Sequence, residues 1–328
     1  MKNFWKTLKK PILALAPMEG VTDSVFRQIV AFCGRPSVFF TEFTSCDGMV
    51  SDVGRAHVDQ RLQITTLEHP IVAQIYGTNP EMFYKTAQMV VDMGFDGIDI
   101  NMGCPERNLV RKGSCSGLIQ NPKLAGEIIQ ATKEGANGIP VSVKTRIGFN
   151  KIIIEEWVQF LLEQKIAALT LHLRTVKEMS KVPAHWDEIA KAVVIRKELN
   201  VDTVILGNGD VKSLREADEK VAKYKIDGVM VGRGIFENIW LFNSQREASS
   251  ITPQEKLALL IKHVQLYHET WKDKKPFPPM RKFVKAYVNG FAFATDLREE
   301  LMKTDNAEEL IRKVRATLSS QLFVGNAS

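Results

Sequence analysis

The 328-residue chain has only four cysteines, Cys33, Cys46, Cys104 and Cys115, standing 13, 58 and 11 residues apart, with no CxxC pair and no histidine at zinc-finger spacing. That pattern excludes a structural zinc site and a disulfide framework, and no metal is expected. Long apolar runs are missing as well: no uncharged stretch approaches the ~18 residues of a membrane span. The apolar Ile12 to Ala16, which follows the basic Lys2, Lys6, Lys9 and Lys10, runs at once into Pro17 and Glu19, too short for the apolar region of a secretory signal. A soluble, cytoplasmic protein is expected. Repeats and low-complexity tracts are absent, and 45% hydrophobic with 25% charged residues excludes a disordered or collagen-like chain. Acidic residues are in deficit, 38 against 44 basic, and from Ile251 onward 13 Lys and Arg face 9 Asp and Glu.

Short apolar runs bounded by turn residues predict eight strands: Ile12 to Ala16, Val38 to Phe43, Ile71 to Ile75, Gly97 to Ile100, Pro140 to Lys144, Ala167 to Leu171, Thr203 to Leu206 and Asp227 to Val231. Helical periodicity lies between them over Asp23 to Phe32, Pro80 to Met93, Pro122 to Asn137, Ile153 to Gln164, Trp186 to Glu198 and Lys212 to Tyr224; only the second connection is ambiguous. The strands recur about every 31 residues, the size of one βα unit. Eight units predict an α/β fold, a (β/α)8 TIM barrel. A doubly wound sheet is the alternative, but its glycine-rich turn after the first strand is replaced here by Pro17-Met18-Glu19-Gly20. From Pro253 to Leu322 the pattern is helical, broken at Pro276 to Pro279 and around Thr304 to Asn306, which predicts a small all-α C-terminal domain. The expected division is a barrel over 1–245 and a helical domain over 246–328. Pro276-Phe277-Pro278-Pro279 sets a rigid turn presenting a basic helix from near Met280. Around it, Lys272, Lys274, Lys275, Arg281, Lys282 and Lys285 interleave with Trp271, Phe277, Phe283 and Tyr287, a composition suited to phosphate and base contacts, although a solvated helix face gives the same pattern.

Barrel enzymes place their chemistry where strands end. Here the polar residues closing the runs are Glu42, Gln74, Asn101, Lys144, His172, Asn208 with Asp210, and Arg233. One such residue is ordinarily a satisfied structural group, but seven of eight strands ending this way call for a polar ligand at the rim. Gly207-Asn208-Gly209-Asp210 and Gly232-Arg233-Gly234, each before a helix start, form a phosphate cradle by position. Without a GxGxxG fingerprint a mononucleotide is indicated, and FMN fits best. Lys144 then faces the pyrimidine edge of the flavin, where a fixed cation stabilises the anionic reduced ring. Asn101-Met102-Gly103-Cys104-Pro105 is expected in a loop after the fourth strand, with Cys104 facing the pocket as a proton donor. Cys33, Cys46 and Cys115 read as small buried hydrophobes.

These residues, Ala16-Pro17-Met18-Glu19-Gly20-Val21-Thr22-Asp23, Asn101-Met102-Gly103-Cys104-Pro105, Lys144-Thr145-Arg146-Ile147-Gly148, His172-Leu173-Arg174-Thr175, Gly207-Asn208-Gly209-Asp210 and Gly232-Arg233-Gly234, resemble the tRNA-dihydrouridine synthases over the whole chain, Met280-Arg281-Lys282 included. The resemblance implies an FMN enzyme that takes hydride from NADPH (or NADH) and reduces a uracil in tRNA to 5,6-dihydrouridine. It assigns FMN to Ala16, Pro17, Met18, Gln74, Lys144, His172, Asn208, Gly209, Asp210, Gly232 and Arg233. It makes Cys104 the acid for C5, puts Asn101 and Arg174 at the uracil edge, and places Arg281 and Lys282 on the tRNA backbone. The quaternary state stays open with a monomer as the default, and neither a protein partner nor a membrane is expected. Two stretches depart from the family pattern: Ser180 and Val182 where Tyr and Gly are usual, and Gly113-Ser114-Cys115-Ser116-Gly117 after the cysteine loop, read as a change of local packing. Two other readings remain open: a flavin barrel acting on a free small molecule, as a dihydroorotate dehydrogenase does, and a non-catalytic RNA-binding protein.

Overall fold

The computed structural model describes residues 3–320, and in it every one of the eight apolar runs supplies a strand. In chain order these are β1 (Ile12–Leu15), β2 (Phe39–Phe40) with β3 (Thr44–Ser45), β4 (Ile71–Tyr76), β5 (Gly97–Met102), β6 (Val141–Arg146), β7 (Ala168–His172), β8 (Val204–Asn208) and β9 (Gly228–Val231). All pairings are parallel, in the order β1-β9-β8-β7-β6-β5-β4-β2, with β3 also on β4. A bridge between Ala14 and Val38 closes the sheet, and Leu15 N–H donates to Val38 O at 3.1 Å. The fold is the expected TIM barrel. Strands covered on both faces read as continuous apolar runs, which is why they were visible in the sequence.

The helices start where the sequence supplies caps. Asn79 and Asn121 accept from backbone N–H groups at the heads of α4 (Pro80–Asp92) and α6 (Pro122–Gly135), each with proline at the first position. Ser213 does the same for α9 (Leu214–Tyr224). The others before β9 are α1 (Ser24–Cys33), α2 (Cys46–Val50), α3 (Asp52–Val58), α5 (Arg107–Arg111), α7 (Ile154–Glu163) and α8 (Ile189–Glu198). The ambiguous second connection carries α2 and α3, and the expected helix from Trp186 opens as a 3-10 turn, Trp186–Glu188, before α8. Buried Trp5, from a 3-10 turn at Phe4–Lys6, packs with Ile12, Val38, Phe40, Val72, Val204, Leu206 and Met230.

Strand ends differ from expectation in both directions: β4 to β8 run one or two residues further, whereas β1 stops one residue short at Leu15 and the second run breaks off at Phe40 and resumes as β3. Asn101 and Met102, expected in a loop, are the last residues of β5, paired with Lys144 and Thr145. His172 and Asn208 likewise close β7 and β8 and pair with each other. The backbone ladder is indifferent to side-chain polarity, so a polar inward residue does not end a strand.

The chain forms two compact units. The first takes the chain up to Arg27 with Pro36–Gly234; the second takes Gln28–Arg35 with everything from Ile235. In the second, α10 (Pro253–Trp271) opens on a capping box made by Thr252 and Glu255. It is followed by a 3-10 turn, Pro278–Phe283, α11 (Val284–Tyr287), α12 (Ala294–Leu301) and α13 (Ala307–Leu318). The predicted basic helix from Met280 is therefore a 3-10 turn running into a single helical turn. The predicted end at Leu322 lies outside the described residues. The aromatics read as base contacts are also corrected: Trp271, Phe283 and Tyr287 are buried in this unit's own core, with Lys275 Nζ 3.5 Å from the centroid of the Trp271 ring.

Candidate active site

Alternate residues of a strand share a face, and across β4 to β8 the polar ones meet in register. Gln74 stands opposite Asp99, Asp99 opposite Ser142 and Asn101 opposite Lys144, Arg146 opposite His172, and His172 opposite Asn208. The first group is a hydrogen-bonded chain. Ser142 Oγ donates to Asp99 Oδ1 at 2.6 Å and Gln74 Nε2 to Asp99 Oδ2 at 2.7 Å. Asn101 Nδ2 donates to Gln74 Oε1 at 3.0 Å. The backbone N–H groups of Gly103 and Cys104 both donate to Asn101 Oδ1 at 3.0 Å. Burial raises the Asp99 carboxyl to about 6 against the Ser142 and Gln74 hydrogen bonds.

Cys104, just beyond β5, is half-buried. Buried Arg146 fixes its turn: Nε donates to Gly103 O at 2.8 Å, and Nη1 reaches Thr175 O at 3.0 Å and Met179 O at 2.8 Å. The Cys104 thiol is held below its ordinary value by a hydrogen bond with Cys115, against burial, with the Arg146 charge adding to the effect. Cys115 is fully buried, takes a φ of 52°, and its thiol is driven far up by the same hydrogen bond and by burial. Cys115 is thus the small buried residue expected, and it also faces the Cys104 thiol.

Lys144 is half-buried with no hydrogen-bond partner among the described residues. Burial foremost, then Arg146, lowers its ammonium to about 8, while Asp99 holds it up. His172 is kept neutral by burial and by the charges of Lys144, Arg146, Arg174 and Arg233. With His172 neutral, its Nε2 accepts from Arg174 Nη1 at 3.2 Å and the proton sits on Nδ1. Arg174, 3% exposed, also donates through Nε to Val182 O at 2.6 Å and through Nη2 to Asp210. Asp210 accepts from Ala184 N–H as well, at 2.9 Å. Thus Asp210 and Arg174 are committed to each other. Asn208 Nδ2 donates to Met230 O at 2.8 Å.

Gly209 lies at φ 132°, where a Cβ would stand 2.8 Å from that of Ala184, so only glycine fits. On β1 and β9, Ala16 N–H donates to Val231 O at 2.8 Å. A Cβ on Gly232 would stand 3.8 Å from Ala16 Cβ and 3.9 Å from Met18 Sδ, so the backbone there is bare and open. Arg233 is exposed and makes no hydrogen bond or ion pair among the described residues.

Ala16, Pro17, Met18, Gln74, Asn101, Cys104, Lys144, His172, Arg174, Asn208, Gly209, Asp210, Gly232 and Arg233 all belong to the barrel unit. Arg281 and Lys282 belong to the other, where Arg281 Nη1 donates to Met302 O and Thr304 O, both at 3.1 Å. Sequence reading passed over Asp99, Arg146 and the Cys115 contact. The signal for the first two was present, since Asp99 is two residues before Asn101 and Arg146 two after Lys144.

A family model described as dihydrouridine synthase (Dus) matches residues 14–322. The chain is 46% identical over 310 residues to a probable tRNA-dihydrouridine synthase of Staphylococcus aureus (strain Mu50), covering 94% of this chain and 93% of that one. It is 44% identical over 311 residues to probable tRNA-dihydrouridine synthase 2 of Bacillus subtilis (strain 168), covering 94% of each. Among solved structures it resembles a 2-naphthoyl-CoA reductase in complex with 2-naphthoyl-CoA, with a TM-score of 0.55 at 10% identity over 71% of this chain, spanning about half (49%) of that one. That likeness bears on the fold alone. A family match over nearly the whole chain, with relatives this similar along almost their full length, makes the protein a member of the dihydrouridine synthase family.

Proposed function

We propose that the chain binds FMN in the barrel mouth and uses hydride from NADPH, or NADH, to reduce a uridine of tRNA to 5,6-dihydrouridine. The observation that carries this reading is Cys104, half-buried just beyond the end of β5 on a turn that Arg146 and Asn101 hold by hydrogen bonds.

The donor set fits a flavin mononucleotide. Lys144 and Arg233 are cations without hydrogen-bond partners among the described residues, in a site that also holds Arg146 and Arg174. A ligand with an anionic ring edge and a phosphate answers both. Gly209, Gly232, Arg233 and Asn208 would take the phosphate, Ala16, Pro17 and Met18 would line the ring, and Gln74, Lys144 and His172 would meet its polar edge. When bound and reduced, the flavin supplies the hydride for C6 of the uracil.

The chain's own part is the proton. As C6 receives hydride, the C5=C6 double bond becomes single and Cys104 passes its thiol proton to C5. The resulting thiolate is met by the Cys115 thiol and the Arg146 charge, and is reprotonated from solvent. Asn101 and Arg174 are committed to the Cys104 turn and to His172 with Asp210, so they act on the substrate by positioning those groups. The target base must leave its stack, at a cost of a few kcal/mol, lower where it is already loosened. The barrel unit, which ends at Gly234 and not at the expected 245, is the catalytic part, and the second unit grips the tRNA backbone. The reading needs no partner protein and takes the enzyme as a cytoplasmic monomer.

Cys104→Ala tests it. The variant should keep FMN and its reduction by NADPH yet form no dihydrouridine on tRNA; dihydrouridine at the parent rate would remove Cys104 as the acid.

A further inference from the structure

Asp99 has no part in the reaction just described, yet it is fully buried on β5 with both carboxylate oxygens engaged. A carboxylate only accepts. Gln74 must therefore turn its NH2 toward Asp99, leaving Oε1 to accept from Asn101. Asn101 must in turn direct its NH2 at Gln74 and its oxygen at the N–H groups of Gly103 and Cys104. Reversing either amide would set NH2 against N–H at the far end. Amide orientation is ordinarily inferred from neighbours, but this chain is fixed at both ends, by a carboxylate and by two backbone donors.

We propose that Asp99 is a positioning residue for Cys104: its carboxylate fixes the sense of the Gln74 and Asn101 amides and so holds the Gly103–Cys104 backbone in the turn that presents the thiol. This rests on Cys104 acting as the acid. The groups facing Asp99 are Gln74 on β4 and Ser142 with Lys144 on β6; those facing the Cys104 thiol are Glu106, Cys115 and Arg146.

The test is residue-resolved amide hydrogen exchange on the purified protein in Asp99→Leu and Asp99→Asn. Leucine offers no acceptor, so exchange at Gly103 and Cys104 should accelerate about tenfold or more, the loss of one hydrogen bond each. The β5 ladder amides of Ile98 and Ile100 should change little. Asparagine should restore protection, because its oxygen can accept from Gln74 while its NH2 donates to Ser142 Oγ, whose hydroxyl turns to Ile98 O, 3.3 Å away. Equal acceleration along all of β5 would mean a purely structural role and would overturn the proposal, as would unchanged protection in the leucine variant or an asparagine variant that behaves like it. Should Asp99→Leu not fold, Gln74→Leu cuts the same chain one link on, and unchanged protection there is equally decisive. The measurement needs neither tRNA nor turnover, so its failure leaves uridine reduction standing, and the reverse.

Discussion

A lysine ammonium with no acceptor in reach keeps its charge only as far as its surroundings allow, and burial with Arg146 brings Lys144 down to about 8. The sign is direct: below that pH the side chain is a cation, and as pH rises through it the charge is lost. FMN affinity should therefore fall between pH 7 and pH 9, by up to about tenfold per pH unit beyond the midpoint. Lys144→Arg, which stays charged, should give a flat profile. Fluorescence titration of FMN reads this out, and a flat profile in the parent protein would show that the Lys144 charge does not serve the cofactor. At this scale the sequence was legible where a residue is unusual for its place, as with Lys144 and His172 in apolar runs. It was not legible where two residues far apart in the chain meet. Nothing in the spacing tells that Cys115 touches Cys104 or that Asp99 faces Gln74, since those contacts are made by the barrel.

A wholly buried ion pair ties elements of the barrel unit together. Arg27 on α1 donates through Nε to Glu68 at 3.0 Å and through Nη1 and Nη2 to Thr22 O and Gln63 O, both at 2.6 Å. The pair holds the start of α1 to the segment before β4. Glu68→Ala would leave a buried guanidinium without its counter-charge, which costs about 3–5 kcal/mol; the paired change Arg27→Met with Glu68→Leu should cost far less. Denaturant unfolding of the three proteins checks this, and a mild effect of Glu68→Ala alone would show that water or another group compensates Arg27. The strands of this unit were readable because both their faces are covered, whereas α2 and α3, of five and seven residues, are too short to carry a helical period. The basic segment after Pro279 misled for a related reason: its helical composition is real, but prolines 278 and 279 supply no backbone donors and the chain winds there as a 3-10 turn.

Over the whole molecule the net charge of +6 favours an anionic partner. Lys282 is exposed and keeps its proposed place on the tRNA backbone, while Arg281 braces the backbone between α12 and α13; the exposed Lys272, Lys274 and Lys285 are three further cations of the second unit suited to phosphate contact. Replacing the three lysines by alanine should weaken tRNA binding and flatten its salt dependence by about one unit of slope per lost contact, with FMN reduction unchanged. Affinity equal to the parent's across salt would remove this segment from the RNA interface. Arg281→Ala should instead lower stability. The central claim, reduction of uridine in tRNA with Cys104 as acid, is tested most directly by mapping dihydrouridine in tRNA from cells with and without the gene, complemented by the parent protein or by Cys104→Ala. One or more defined positions should lose dihydrouridine when the gene is absent and regain it only with the parent protein; a map that does not change, or one restored by Cys104→Ala, would contradict it.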